Sequence, residues 1–115
     1  MNSKQRTIRQ MSREAVKSFD SYTAQGTKKW NWESGAKDLA YQVGSVSKIM
    51  MQLTKERWAE GKNKEALKAE LSDELADIIA ITLFIAAELK IDVEKAWRQM
   101  LELDKKKISE RSKSG

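Results

Sequence analysis

Apolar residues recur every three or four positions in three separate stretches of the chain, and this spacing predicts amphipathic α-helices. The first stretch runs among basic residues and carries Ile8, Met11, Ala15, Phe19 and Tyr22. The second has the spacing of a coiled-coil seam over two heptads and carries Leu39, Val43, Val46, Met50 and Leu53. The last carries Val93, Ala96, Trp97, Met100 and Leu103.

A further helix is predicted between the second and the last, from about Lys64 to Lys90. From Leu75 onward it is apolar on almost every side, so we expect it at the centre of the core. Three amphipathic neighbours cannot cover such a helix fully, and we therefore expect the chain to form a homodimer or homotetramer. The longest apolar run, 78–87, is about half the length of a membrane span, which argues against a membrane partner.

The segments between these stretches contain residues that end or begin helices. Periodicity stops from Thr23 to Gly35, which predicts a loop around two tryptophans. Gly61 is suited to end the second helix and Asn63 to cap the third, which predicts a tight hairpin of antiparallel helices.

Asp92 is suited to cap the last helix, which we expect to end before Lys105. Residues 105–115 then form a flexible basic tail. The whole chain, 1–115, is predicted to be one all-α domain of four helices.

The amino-acid composition excludes several kinds of catalytic site and fold. The 115 residues include no Cys, His or Pro and only five Gly, which excludes a disulfide framework, a thiol nucleophile and an imidazole base. Sheet folds would need more turn residues. The polar first residues lead into no hydrophobic signal segment, so we expect a cytoplasmic protein.

Basic residues are concentrated near the two ends and account for the net charge of +5. They include Arg6, Arg9, Arg13, Lys17, Lys105, Lys106, Lys107, Arg111 and Lys113. Such ends are able to contact nucleic acid without sequence preference. The chain has no recognition-helix or zinc motif, however, and this argues against a direct nucleic-acid function.

A row of acids precedes the apolar part of the third helix, formed by Glu70, Asp73, Glu74 and Asp77. Their three- and four-residue spacing creates four like-charged pairs that together cost about 1–2 kcal/mol unless a cation lies between them. Carboxylates without His or Cys suit Mg²⁺ or Mn²⁺. The alternative is a solvated acidic face near a helix start, where the helix dipole favours negative charge.

The span from Glu74 to Asp77, the apolar helix after it and the closing segment Leu89–Asp92 resemble the second half of the MazG-like nucleotide pyrophosphohydrolases. The family's E-x-x-D motif falls on Glu74 and Asp77. Upstream, the stretch Asp38–Val46 resembles the family's L-A-E-E-V-G-E-L helix. The resemblance covers residues 36–104.

This resemblance implies a four-helix oligomer that cleaves a nucleoside triphosphate to a monophosphate and pyrophosphate with Mg²⁺. It assigns Glu74 and Asp77 as metal ligands, with Glu70 and Asp73 as auxiliary ligands or the water-orienting base. The acids of the family's first motif are replaced here by Tyr41, Gln42 and Ser45. The alternative is therefore a MazG-like nucleotide-binding or interaction protein that has lost hydrolysis.

Further residues are candidates for binding the phosphates or the base of a nucleotide. Gln42 and Ser45 are suited to bind a phosphate oxygen or a metal-bound water, and Lys48 and Lys105 to balance phosphate charge. The pair Trp30 and Trp32 is suited to stack on a base, or else to pack as core or dimer contact. The remaining tryptophans, Trp58 and Trp97, are predicted to lie in helices as core or interface residues.

Overall fold

The structure is a computed structural model that describes residues 5–26 and 29–114. These residues form four helices and no strand, which confirms the predicted all-α class. The helices are α1 (Ile8–Ala24), α2 (Trp32–Leu53), α3 (Lys64–Glu88) and α4 (Val93–Ser114). None of the four combines the length and the apolar character that crossing a bilayer requires.

Short polar side chains cap the starts of the helices. Asn63 accepts a hydrogen bond from the backbone N–H of Ala66, as its position predicts. Asp92 likewise accepts from the N–H of Lys95, so both predicted caps are confirmed. The sequence reasoning missed the cap at Asn31, which accepts from the N–H of Ser34 and begins α2.

The loop predicted from Thr23 to Gly35 is shorter than expected. The first helix continues through Ala24, and the second begins at Trp32, so Gly35 lies inside a helix. The reason is a close helix contact, because a Cβ atom at Gly35 would lie 3.0 Å from Cγ1 of Ile85. Two residues of the predicted loop, 27 and 28, lie outside the described residues.

The predicted tight hairpin after the second helix is also wrong. That helix ends at Leu53, Lys55 takes a left-handed backbone with φ 64°, and residues 54–63 form the connection. Buried Gln52 holds this connection in place. Its Nε2 donates to the carbonyl oxygen of Trp58 and to Oε2 of Glu60, both at 3.1 Å.

Trp58 therefore lies in the connection and not in a helix. Its side chain is 78% exposed, so within the chain it is not a core residue. Its backbone carbonyl accepts the hydrogen bond from Gln52, whereas its indole ring lies mostly in solvent.

The core forms where α3 packs against α2 and α1. The buried apolar side chains of α3 are Leu67, Ile81, Leu83, Phe84 and Ala86. Ile49 of α2 and Ala15 of α1 are also buried. The start of α2 lies at the end of α3, as the Gly35 contact shows, so the two helices are antiparallel as predicted.

The second helix is turned relative to the expected seam. Its buried residues are Gly35, Ile49 and Gln52, and the last two each lie one position before a member of the predicted stripe. Two members of that stripe, Val43 and Met50, are 50% and 47% exposed. Polar Gln42, Ser45 and Gln52 share the side of α2 that meets α3 with Ile49, so Val43 and Met50 point away from it.

The fourth helix is joined to the first at the start of each. Arg9 contacts Asp92 at 3.0 Å and Glu94 at 2.9 Å. Beyond Glu94 every described side chain of α4 is exposed, including Trp97. The prediction that the helix ends before Lys105 is wrong, because Lys, Glu and Arg favour helix and no Gly or Pro interrupts them before residue 115, which is not described.

Candidate functional site

The polar middle of the α2–α3 interface contains most of the predicted site residues. Two neighbouring openings lie along it, one toward α1 and one toward the connection between α2 and α3. One helical turn separates them on each helix. Gln42 and Asp77 line the first opening, whereas Ser45 and Glu74 line the second.

The opening toward α1, which we call the aromatic cavity, has a volume of about 360 Å³. Its lining consists of Phe19, Tyr22, Thr23, Trp30, Asp38, Gln42, Asp77, Ala80 and Ile81. The ring of Trp30 stacks on Phe19 with 5.1 Å between centroids, and Phe19 also contacts Phe84 of the core. Trp30 is thereby fixed at the wall of a cavity that also contains two carboxylates.

The opening toward the connection, which we call the lysine cleft, has a volume of about 250 Å³. Its lining consists of Ser45, Lys48, Ile49, Gln52, Lys62, Glu70, Asp73 and Glu74. It therefore combines three acids with two lysines, and both lysines are paired.

The paired lysines hold the connection against the two helices. Lys48 Nζ lies 3.3 Å from Oε2 of Glu60, and Lys62 Nζ lies 2.6 Å from Oε1 of Glu70. The Lys48 hydrogen bond lowers the pKa of the Glu60 carboxyl. The Glu70 hydrogen bond raises the pKa of the Lys62 ammonium. An anion entering the cleft has to compete with Glu60 and Glu70 for these cations.

Glu74 is the most unusual acid of the site. Its Oε2 is buried and accepts no hydrogen bond from the residues that the structure describes. Burial raises the pKa of Glu74 above its ordinary value, and the carboxylates of Asp77, Asp73, Asp38 and Glu70 raise it further. A half-buried carboxylate among four others needs a proton or a cation.

The donor set has the chemistry of a magnesium site but not the geometry of a preformed one. All candidate ligands are oxygens, as Mg²⁺ prefers, and Glu74 Oε2 has no partner. Within residues 5–26 and 29–114, however, no three acidic side chains converge closely enough to hold a metal ion. Mg²⁺ often uses only one or two protein carboxylates together with substrate phosphates. The donor types therefore suit Mg²⁺, whereas the described acids do not by themselves form a metal site.

Several predicted residues lie away from the two openings. Trp32 is the first residue of α2, is 43% exposed and does not line the aromatic cavity. Tyr41, which replaces a family acid, is 69% exposed. Lys105 lies on the exposed part of α4 and pairs with Glu102 at 3.7 Å.

The sequence reasoning missed three contributions to the site. Asp38 lines the aromatic cavity, and the only signal for it was its place one turn before Gln42 on the same helix face. Phe19 also lines this cavity and stacks on Trp30, whereas its place in the apolar stripe of the first helix predicted only core packing. Lys62 lies in a connection whose path the sequence did not predict.

Comparisons with protein-family models, with curated proteins and with solved structures found no match for this chain. The resemblance to MazG-like enzymes therefore depends on the motif residues alone.

Proposed function

We propose that the α2–α3 groove binds a nucleoside triphosphate together with Mg²⁺ and hydrolyses it to a monophosphate and pyrophosphate. The observation that carries this proposal is the buried, unpartnered Oε2 of Glu74 among four further carboxylates. Such an arrangement weakens the fold unless a cation compensates it. The motif resemblance at Glu74 and Asp77 supports the choice of a metal–nucleotide complex.

The residues divide into roles according to the openings that they line. Glu74 and Asp77 are the proposed metal ligands, one from each opening, and Asp73 is an auxiliary ligand. A bound Mg²⁺ neutralises phosphate charge and lowers the pKa of a coordinated water. Glu70 is the proposed water-orienting base, and that role requires release from Lys62.

The neutral side chains and the lysines are proposed to position the phosphates. Gln42 and Ser45 face the acids from α2 and offer hydrogen bonds without adding negative charge. Lys48 and Lys62 line the lysine cleft beside Glu74, so the triphosphate is proposed to lie there.

A second candidate function is nucleotide binding without hydrolysis. It is favoured by the neutral residues at the family's first acidic motif and by the lack of three converging acids among the described residues. The protein then acts as a nucleotide sensor or an interaction protein with the same ligand.

The test is pyrophosphate release from a panel of ribo- and deoxyribonucleoside triphosphates with Mg²⁺ or Mn²⁺. Wild type is compared with Glu74→Gln, Asp77→Asn and Glu65→Gln. Glu65 is a matched control because it is an exposed acid on the same helix and lines neither opening.

We expect metal-dependent release that disappears in the first two variants and persists in Glu65→Gln. Undiminished release by Glu74→Gln contradicts the proposed site. Absence of release from wild type, with calorimetric binding of the metal–nucleotide complex, supports the binding protein. If neither occurs, both functions are wrong and the acidic row is a solvated face.

We further propose that the chain forms a homo-oligomer. Val43 and Met50 on α2, and Leu75 and Ile79 on α3, are between 47% and 50% exposed. Val43, Met50 and Leu75 each lie one position after a residue that lines one of the two openings, and Ile79 lies one turn beyond Leu75. In an antiparallel pair these positions project from the same side. The first helix packs beside Ala80 on the other side, so this apolar face lacks a cover in the described chain.

A further inference from the structure

The aromatic cavity carries negative charge and no positive charge among its lining residues. Asp38 and Asp77 contribute carboxylates, which only accept hydrogen bonds when ionised. Gln42 also lines the cavity, and its buried Oε1 accepts no hydrogen bond from any described residue. No Lys or Arg is among the lining residues. The cavity therefore offers strong acceptors beside the O–H and N–H groups of Tyr22, Thr23 and Trp30.

The shape of the cavity favours a flat ring. Trp30 stacks on Phe19, which itself contacts Phe84 of the core, so the aromatic wall is anchored to the core. A volume of about 360 Å³ falls within the range of small-molecule sites. A planar ligand gains stacking on such a wall, and the acceptors then select the atoms at its edge.

The position of the aromatic cavity relative to the lysine cleft indicates how a nucleotide would be oriented. The lysine cleft begins one helical turn away on both α2 and α3. Lys48 and Lys62 are among the residues that line this cleft. A nucleotide with its phosphates in the lysine cleft thus extends its base toward Trp30 and Asp38.

We propose that the aromatic cavity binds the base of the nucleotide and prefers a base whose edge carries several N–H donors, guanine above all. This inference rests on the proposed function. Guanine presents an N–H and an NH₂ side by side, a pattern that one carboxylate accepts with both oxygens. Thymine and uracil present a single N–H between two carbonyl oxygens, so Asp38 receives only one hydrogen bond and faces oxygens of partial negative charge. Adenine and cytosine, with an NH₂ beside a ring acceptor, rank between them.

The experiment measures binding by calorimetry with Mg²⁺ and nucleotide analogues in which an imido group replaces the α–β bridging oxygen. These analogues resist cleavage at the proposed bond, so binding is separated from turnover. The guanine and thymine analogues are compared on wild type, on Asp38→Asn and on Asp20→Asn. Asp20 is a matched control because it is an exposed acid of α1 that does not line the cavity.

We expect the guanine analogue to bind wild type and Asp20→Asn at least about tenfold more tightly than the thymine analogue. In Asp38→Asn we expect that preference to fall toward unity through weaker guanine binding. Equal binding of the two analogues to wild type, or an unchanged preference in Asp38→Asn, overturns the inference and leaves the proposed function intact. Failure of every analogue to bind overturns both.

Discussion

A single side chain, Glu74, concentrates the electrostatic cost of the site. Its buried Oε2 has no partner among the described residues, and four acids surround its carboxyl group. In the absence of a ligand each of these features favours the protonated form over the charged form. The folded state therefore binds a proton at Glu74 more tightly than the unfolded state does.

The substitution Glu74→Gln is expected to stabilise the protein at pH 7. It removes the like-charge pairs with Glu70 and Asp77, which are worth about 0.4–1 kcal/mol together, and raises the melting temperature by about 2–4 °C. Thermal unfolding followed by circular dichroism measures this shift. The same change at Glu65, an acid in the first turn of the helix, is expected to lower the melting temperature slightly.

The advantage of Glu74→Gln is expected to depend on pH. Because the pKa of Glu74 is raised in the folded state, the wild-type cost is absent below the ordinary value near 4.5 and appears as the pH rises through the folded-state pKa. The difference between variant and wild type should therefore grow from pH 4 to pH 7. A difference that is constant over this range contradicts the assignment of the cost to this carboxyl.

Sequence reasoning at this scale found residues whose chemistry is local. The spacing of Glu74 and Asp77 already placed both on one helix, and Asn63 and Asp92 were identifiable as caps because a cap acts within three residues. Asp38 and Lys62 were not identifiable as site residues, since their roles depend on which helix faces meet and on the path of the connection.

At the scale of helices, Gly35 and Ile85 determine how closely α2 and α3 approach. A Cβ atom at position 35 would lie 3.0 Å from Ile85 Cγ1 and 3.5 Å from Phe84 Cδ2. The sequence suggested a loop because glycine is common in loops, but here its lack of a side chain permits helix packing. The preference of glycine for loops is therefore outweighed here by its contact with Ile85, fifty residues later in the chain.

Substitution Gly35→Val is expected to destabilise the protein by about 1–3 kcal/mol, because the larger side chain overpacks the contact with Ile85. The matched control is Gly44→Val in the same helix, where a Cβ atom meets nothing within 4 Å. Urea denaturation of both variants measures the difference. Equal stability of the two would show that α2 and α3 can move apart at no cost.

At the scale of the whole molecule, two apolar surfaces of the described residues are exposed. One is the face formed by Val43, Met50, Leu75 and Ile79, and the other is α4 beyond Glu94. The sequence predicted this excess, since α3 is apolar on most sides. It did not predict which stripe of α2 would remain outside, because polar Gln42 and Ser45 occupy the face toward α3.

If the α2–α3 face joins two copies, Ile79→Glu is expected to convert the oligomer to monomers. Ile108→Glu provides the control, as an equally drastic change on the exposed surface of α4. Sedimentation velocity over a range of concentrations distinguishes the species. Oligomers that persist in Ile79→Glu but dissociate in Ile108→Glu would assign the contact to α4 instead.

Because Glu74 Oε2 has no hydrogen-bond partner among the described residues, a ligand that binds in the proposed groove would also shift the folding equilibrium. By mass action, a ligand present at one hundred times its dissociation constant adds about 2.7 kcal/mol to stability if it binds only the folded chain. A ligand that brings positive charge to Glu74 also removes a cost that the empty protein carries. The melting temperature of the wild-type chain is thus a label-free reporter for screening metal ions and nucleotides, independent of whether the protein turns any of them over.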